Sequence, residues 1–119
     1  MANCVFCSIV AGEIPADRVH EDEYVIAFRD REPVAPVHIL VIPKQHVTDL
    51  EEADDALTAR VFAAAKQLGR EHSAEHGYRL AANVGPAADV RHLHVHVVGG
   101  AKHLNHIAQT NTAKEVSAS

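Results

Sequence analysis

Three of the chain's ten histidines fall at every second position of one stretch, Arg91-His92-Leu93-His94-Val95-His96-Val97-Val98-Gly99-Gly100. Side chains alternate between the two faces of a strand, so His92, His94 and His96 share one side while Leu93, Val95 and Val97 share the other. The pattern predicts a strand that lays aliphatic groups on the interior and offers imidazoles to a site. Neutral imidazoles suit nucleophilic attack, proton transfer or metal ligation near neutral pH. A purification tag would be a terminal, uninterrupted run of histidine. This run is internal and interleaved with β-formers. A second chemical feature is Cys4-x-x-Cys7 near the N-terminus. In a chain expected to be cytoplasmic, such a pair reads as a metal pair or as reduced thiols rather than as a disulfide. No βαβ pattern surrounds it, which argues against a thioredoxin-like redox motif.

The bulk composition narrows the function classes. A chain of 119 residues makes a single domain, 1–119, with a core of about 4–100 and a polar tail 101–119 that loses periodicity. No apolar run is long enough to span a bilayer, and Met1-Ala2-Asn3-Cys4 lacks the basic-then-apolar start of a signal peptide. A cytoplasmic protein with no membrane partner is expected. The net charge of −5 provides no basic field for following a phosphate backbone, so a nucleic-acid partner is not expected either. A small anion held locally remains compatible with that charge.

The elements that would position these groups follow in order. Residues 4–12 read as a short helical turn stopped by Gly12 and Pro15. Val19 to Phe28 reads as a strand that breaks at Asp30-Arg31-Glu32-Pro33. His38-Ile39-Leu40-Val41-Ile42, bounded by Pro36 and Pro43, is an almost unbroken apolar run of strand length and belongs in the middle of a sheet. Thr48-Asp49 can cap a long helix running from Glu51-Glu52 to Gly77, with Leu57, Val61, Ala64, Ala65 and Leu68 at helical spacing. Tyr78 to Asn83 resumes as a strand, and Gly85-Pro86 opens the loop into the histidine strand. The order is short helix, two strands, long helix, two strands, an α+β arrangement with an antiparallel sheet.

His92-Leu93-His94-Val95-His96-Val97-Val98 resembles the His-x-His-x-His-x-x signature of the histidine-triad (HIT) family, with x hydrophobic. Ala27-Phe28-Arg29-Asp30, His38 to His46 and Gly77-Tyr78-Arg79 to Asn83 are similar to that family's other recurrent segments, in the same order. The similarity covers about residues 4–100 and is nearest to the Hint-like and bacterial branch. It implies a five-stranded antiparallel sheet with one long and one short helix, and a homodimer whose sheet is continuous across a twofold axis. It also implies hydrolysis or transfer at the α-phosphorus of a purine nucleoside phosphoramidate. His94 would be the nucleophile, with His96 and His38 serving the phosphate or the leaving nitrogen. Two further readings stand beside this one: a dinucleoside polyphosphate hydrolase, and a nucleotide-binding or scaffold protein.

By the same resemblance Asp30 would accept hydrogen bonds from the ribose, Val5, Phe6, Ile9, Phe28 and Leu40 would enclose the base, and Asn83 would contact the phosphate side. By residue type alone the apolar members of that set are ordinary core candidates, and Asp30 could simply organise its turn. Some bacterial relatives, and the distantly similar galactose phosphate uridylyltransferases, bind structural zinc through a cysteine pair and two histidines. The matching positions here are Cys4, Cys7, His46 and His92, a closed Cys₂His₂ set. The chain departs from the family in its loop 84–91, which is shorter, with Ala88 at a usual Gln and Asp89 where a small polar residue often meets the leaving group. A carboxylate there repels phosphate unless protonated or paired, and Arg91 is the partner the sequence offers. His20, His72, His76, His103 and His106 match no triad position. His72 and His76 read as solvated residues at the end of the long helix.

Overall fold

The computed structural model describes residues 4–101. Among them are helix α1 (Val5–Val10), strands β1 (Arg18–Glu21), β2 (Val25–Arg29) and β3 (Val37–Pro43), helix α2 (Asp55–His72), and strands β4 (Tyr78–Ala81) and β5 (Val95–Gly99). A short 3₁₀ turn at Gly85–Ala87 interrupts the last connection. The five strands form one antiparallel sheet in the order β1-β2-β3-β5-β4, with the apolar strand β3 in the middle as its composition requires. The tail beyond residue 101, with His103 and His106, lies outside the described residues.

Each face of the sheet is covered differently. Val25, Ala27, Ile39, Val41, Val95 and Val97 pack under α2 against Leu57, Val61, Ala64, Ala65 and Leu68. Strand residues of the other parity, Ile26, Phe28, Leu40 and Ile42, pack with Phe6 and Ile9 of α1. The two periodicities of strand and helix produce this split directly.

Four boundaries differ from the sequence reading, each for a local reason. The stretch Val19–Phe28 is two strands rather than one, because Asp22 turns the chain. Its Oδ1 accepts the N–H groups of Tyr24 and Val25 at 2.8 and 2.9 Å. Helix α2 starts at Asp55, not near Glu51, because Asp54 is the cap and accepts the Leu57 N–H at 2.8 Å. It ends at His72 rather than Gly77. Ser73 follows, with its hydroxyl donating to the Gly77 carbonyl at 2.5 Å, and Gly77 adopts a left-handed φ of 75° that closes the turn into β4. His76 is therefore off the helix and exposed, while His72 is half-buried. The histidine strand is also shorter than expected: His92 and His94 precede β5, although the alternation continues through them, since Leu93 joins the aliphatic cluster below α2.

Candidate active site

Register brings the first two imidazoles together. Leu40 of β3 pairs with His96 of β5, and His38 pairs with Val98, so His38 and His96 are diagonal neighbours on one face. His38 Nε2 lies 3.0 Å from His96 Nδ1. The protons on this pair can be assigned from the surrounding donors. The Val34 N–H donates to His38 Nδ1 at 3.2 Å, which makes Nε2 the protonated nitrogen of a neutral ring. That proton can go to His96 Nδ1, leaving His96 Nε2 as a donor. The Asp30 carboxylate stands 3.4 Å from the same His38 Nε2, so this nitrogen faces both the carboxylate and the His96 ring.

His94 is oriented by main chain. Its Nδ1 lies 2.9 Å from the His92 carbonyl oxygen, which can only accept, so Nδ1 carries the proton and Nε2 keeps a lone pair. The ring is 5% exposed, and burial pushes its pKa below the ordinary imidazole value. The hydrogen bond to His92 and the charges of Asp30 and Asp89 oppose that shift without reversing it. A neutral ring with a free lone pair is the state a nucleophile needs.

His94 and His96 line a cleft of about 840 Å³, within the roughly 300–1,000 Å³ usual for small-molecule sites. Val5, Phe6, Ile9, Phe28 and Leu40 supply its apolar wall, and Asp30 and Asp89 also line it. Phe6 stands edge-on to Phe28, with ring centroids 5.6 Å apart, and edge-on to His94 at 5.2 Å. The residues assigned above to base and ribose, together with Asp89, therefore border this space; His38, assigned to the phosphate or leaving nitrogen, is not part of its lining and meets it through His96. Asn83, assigned to the phosphate side, is half-buried and is not part of the cleft wall. Arg91 does not pair with Asp89 as expected: its Nη2 is 3.6 Å from Asp49 Oδ2. The reach of Asp49 across 42 residues explains why the nearer carboxylate loses this cation.

Behind Phe6, a second cluster gathers the four proposed metal ligands. Cys4 Sγ is 3.3 Å from His92 Nδ1, Cys7 Sγ is 3.2 Å from His46 Nδ1, and the two imidazole Nδ1 atoms are 3.2 Å apart. Both cysteines are free, and the four ligand atoms lie within 4.8 Å of one another. A tetrahedral zinc ion with bonds of about 2.05 Å to nitrogen and 2.3 Å to sulfur has ligand-to-ligand edges of roughly 3.3–3.8 Å, close to these separations. The His92 Nε2–H donates to the Pro43 carbonyl at 2.9 Å, so the Nδ1 lone pair is the one turned toward the sulfurs. The donor set fits a closed structural site. Among the described residues, Asp30, His38 and His96 form the other group close enough to hold a cation, and their closest approaches are the 3.0 Å and 3.4 Å contacts already described.

Sequence reasoning had no means of finding the main-chain partners, the Val34 N–H, the Pro43 carbonyl and the His92 carbonyl, because every residue carries such groups. It read Asp49 as part of a helix cap and gave Val90 no role, whereas Asp49 holds the loop that carries Val90 to the cleft.

Comparison with known proteins agrees with this geometry. The HIT domain model matches residues 11–103, a span that begins after the cysteine pair. Among solved structures, a HIT family hydrolase from Legionella pneumophila is 44% identical with a TM-score of 0.78, covering 83% of this chain and 94% of that one. A hypothetical histidine triad nucleotide-binding protein from Sulfolobus tokodaii is 37% identical with a TM-score of 0.74, covering 81% and 68%. A zinc-bound histidine triad family protein from Mycobacterium smegmatis is 31% identical with a TM-score of 0.78, covering 99% of each chain. With the triad rings on one face of the sheet and most of the chain matched, the protein belongs to the HIT family.

Proposed function

We propose that this protein is a nucleoside phosphoramidase that splits the phosphorus–nitrogen bond of an AMP-amine conjugate through a nucleotidyl-His94 intermediate. The observation that carries this reading is the His94 ring: its Nδ1 is committed to the His92 carbonyl, which leaves the Nε2 lone pair on a ring that lines a nucleotide-sized cleft. In the first step that lone pair bonds to phosphorus and the P–N bond breaks, its electrons going to nitrogen. The His38–His96 pair gives the departing amine a proton. In the second step water attacks phosphorus, the bond to His94 breaks, and the pair recovers a proton from the water. The apolar wall of Phe6, Phe28 and Leu40 suits a purine, and Asp30 suits the ribose hydroxyls. The names of the Legionella hydrolase and the Sulfolobus nucleotide-binding protein support the reading at the level of reaction class and ligand.

Mixing the protein with an AMP-amine conjugate for a single turnover, followed by mass spectrometry, should show an adenylyl adduct on His94. Hydrolysis without an adduct would overturn the mechanism, and binding without hydrolysis would favour a scaffold role.

Structural zinc belongs to the same proposal, supported by the four-ligand geometry and by the zinc-bound mycobacterial relative. Cys4, Cys7, His46 and His92 would hold it, and its contribution would be to cross-link α1 to the loop after β3 and to the triad. The dimer implied by the resemblance has an available edge in β4, the last strand of the sheet. Light scattering would give the mass in solution. Among the described residues no helix is long and apolar enough to cross a membrane.

A further inference from the structure

The loop between β4 and β5 brings a carboxylate to the cleft, and the structure keeps the loop's own cation away from it. Asp49 holds both ends of this loop. Its Oδ2 accepts the Gly85 N–H at 2.9 Å and lies 3.6 Å from Arg91 Nη2, while its Oδ1 accepts the Glu51 N–H at 3.0 Å. The Asp49 side chain is 8% exposed and that of Arg91 51%, so the carboxylate is anchored in the interior while the guanidinium stays at the surface. Gly85 adopts φ 67°, and the Ala88 N–H donates to the Gly85 carbonyl at 2.9 Å, closing the turn between the two anchors. Just past the loop the Leu93 N–H donates to the Val47 carbonyl at 2.8 Å.

Held at both ends, the loop presents Asp89 and Val90 to the cleft beside His94 and His96. Asp89 is its one carboxylate and Arg91 its one cation. Arg91 is engaged by Asp49, so the nearest countercharge in sequence does not neutralise Asp89. Phe28 and Asp30 belong to the β2 flank, the triad to β5, and the loop enters from the β4 flank beyond β5. The loop does not stay on that flank, because Val90 packs against the cluster that holds Phe6 and Phe28; its Asp89 lines the same cleft as His94 and His96, so a charged group on an amine leaving a phosphorus at His94 meets that carboxylate within the cleft.

We propose that Asp89 is a specificity-determining residue that favours leaving groups carrying a second, positive charge, such as diamines or basic amino acids, over neutral amines, and disfavours anionic ones such as phosphate chains. The proposal rests on the phosphoramidase reading and names the substrate class for that site. An exposed carboxylate facing an ammonium is worth a modest, salt-sensitive attraction.

Two adenylyl amides that differ by one group test it: the mono-amide of putrescine, which ends in an ammonium, and the amide of butylamine, which does not. At low salt the wild-type ratio of kcat/KM, putrescine over butylamine, should be about fivefold, and it should fall toward one as salt is added. Asp89→Asn should bring the low-salt ratio close to one, and Asp89→Lys should invert it. A wild-type ratio of one, or a preference that survives Asp89→Asn, would overturn the proposal while leaving the phosphoramidase reading intact. Cleavage of neither amide would overturn both.

Discussion

The two faces of the sheet do different work. Under α2, an 18-residue helix, the interior is aliphatic: Val25, Ile39, Val41, Val95 and Val97 meet Val61, Ala65 and Leu68. The opposite face carries His38, His94 and His96 and is covered in part by the six-residue α1. A helix that short is marginal as an isolated segment, and Phe6 and Ile9 are its buried residues. It is also tied at both ends, by Cys4 and Cys7 beside His46 and His92, and by the Arg18 guanidinium donating to the Ile9 carbonyl at 2.6 Å. The α2 face supplies stability through packing, whereas the α1 face is open enough to form a cleft and relies on specific polar ties. Chemistry resides on the face whose packing is incomplete.

The sharpest way to break this division is His94→Ala. Turnover of an AMP-amine conjugate should fall by at least about 10³-fold, since the nucleophile is lost, while the melting temperature stays close to wild type. Substantial residual turnover, or a large drop in melting temperature, would show that the ring has a different task. Next in size is Leu68→Ala on the other face. Leu68 is 1% exposed, and its truncation should cost about 2–5 kcal/mol in denaturant titration, with kcat/KM of the folded protein little changed. A matching loss of kcat/KM would mean that the two faces are not separable.

Metal removal probes the tie that stands in for packing. Elemental analysis should find one zinc per chain, and chelation should speed hydrogen exchange of the α1 amides and weaken nucleotide binding while α2 keeps its protection. Absence of stoichiometric metal would retire the zinc proposal. Uniform loosening of both helices would show that the ligand cluster supports the whole domain and not one face.

How far each face could be read in advance follows the same divide. The central strand and the buried stripe of α2 were legible because burial leaves a periodic record: Ile39 to Ile42 is a continuous apolar run, and Leu57, Val61, Ala64, Ala65 and Leu68 repeat at helical spacing. The alternation His92, His94, His96 was legible for the same reason, although His92 and His94 fall outside the β5 ladder. The hairpin between β1 and β2 was missed because two short strands flank a three-residue turn whose apolar neighbours suggest one strand. Polar ties were the least legible. Thr48-Asp49 has the composition of a helix cap, but the Asp49 carboxylate is spent on Gly85 and Arg91, partners 36 and 42 residues away. The Cys4 and His92 contact spans 88 residues. Nothing in local composition records such pairings, and only family resemblance brought the four ligands together beforehand.

Asp49 is where the two faces meet, and it gives the smallest effect expected here. Two residues before it, Val47 is buried in the aliphatic cluster under α2, while the Asp49 side chain holds the loop that carries Asp89 to the cleft. Its carboxyl is held below the usual carboxylate range, first by the Gly85 N–H and then by the Glu51 N–H and the Arg91 charge, with burial acting in the opposite sense. A carboxyl depressed in the folded state adds stability that is present above its unfolded pKa and is lost as pH falls through that value toward the folded one. Asp49→Asn removes the charge but keeps an oxygen, so it should lower the melting temperature slightly at neutral pH. The difference from wild type should shrink as the pH is taken down through the acid range. Thermal melts of both proteins across that range measure the gap directly. A gap that does not change with pH would assign the anchor to shape and not to charge. The loop would then be held in place by the Gly85 turn itself, with Asp49 incidental to the boundary between the two faces.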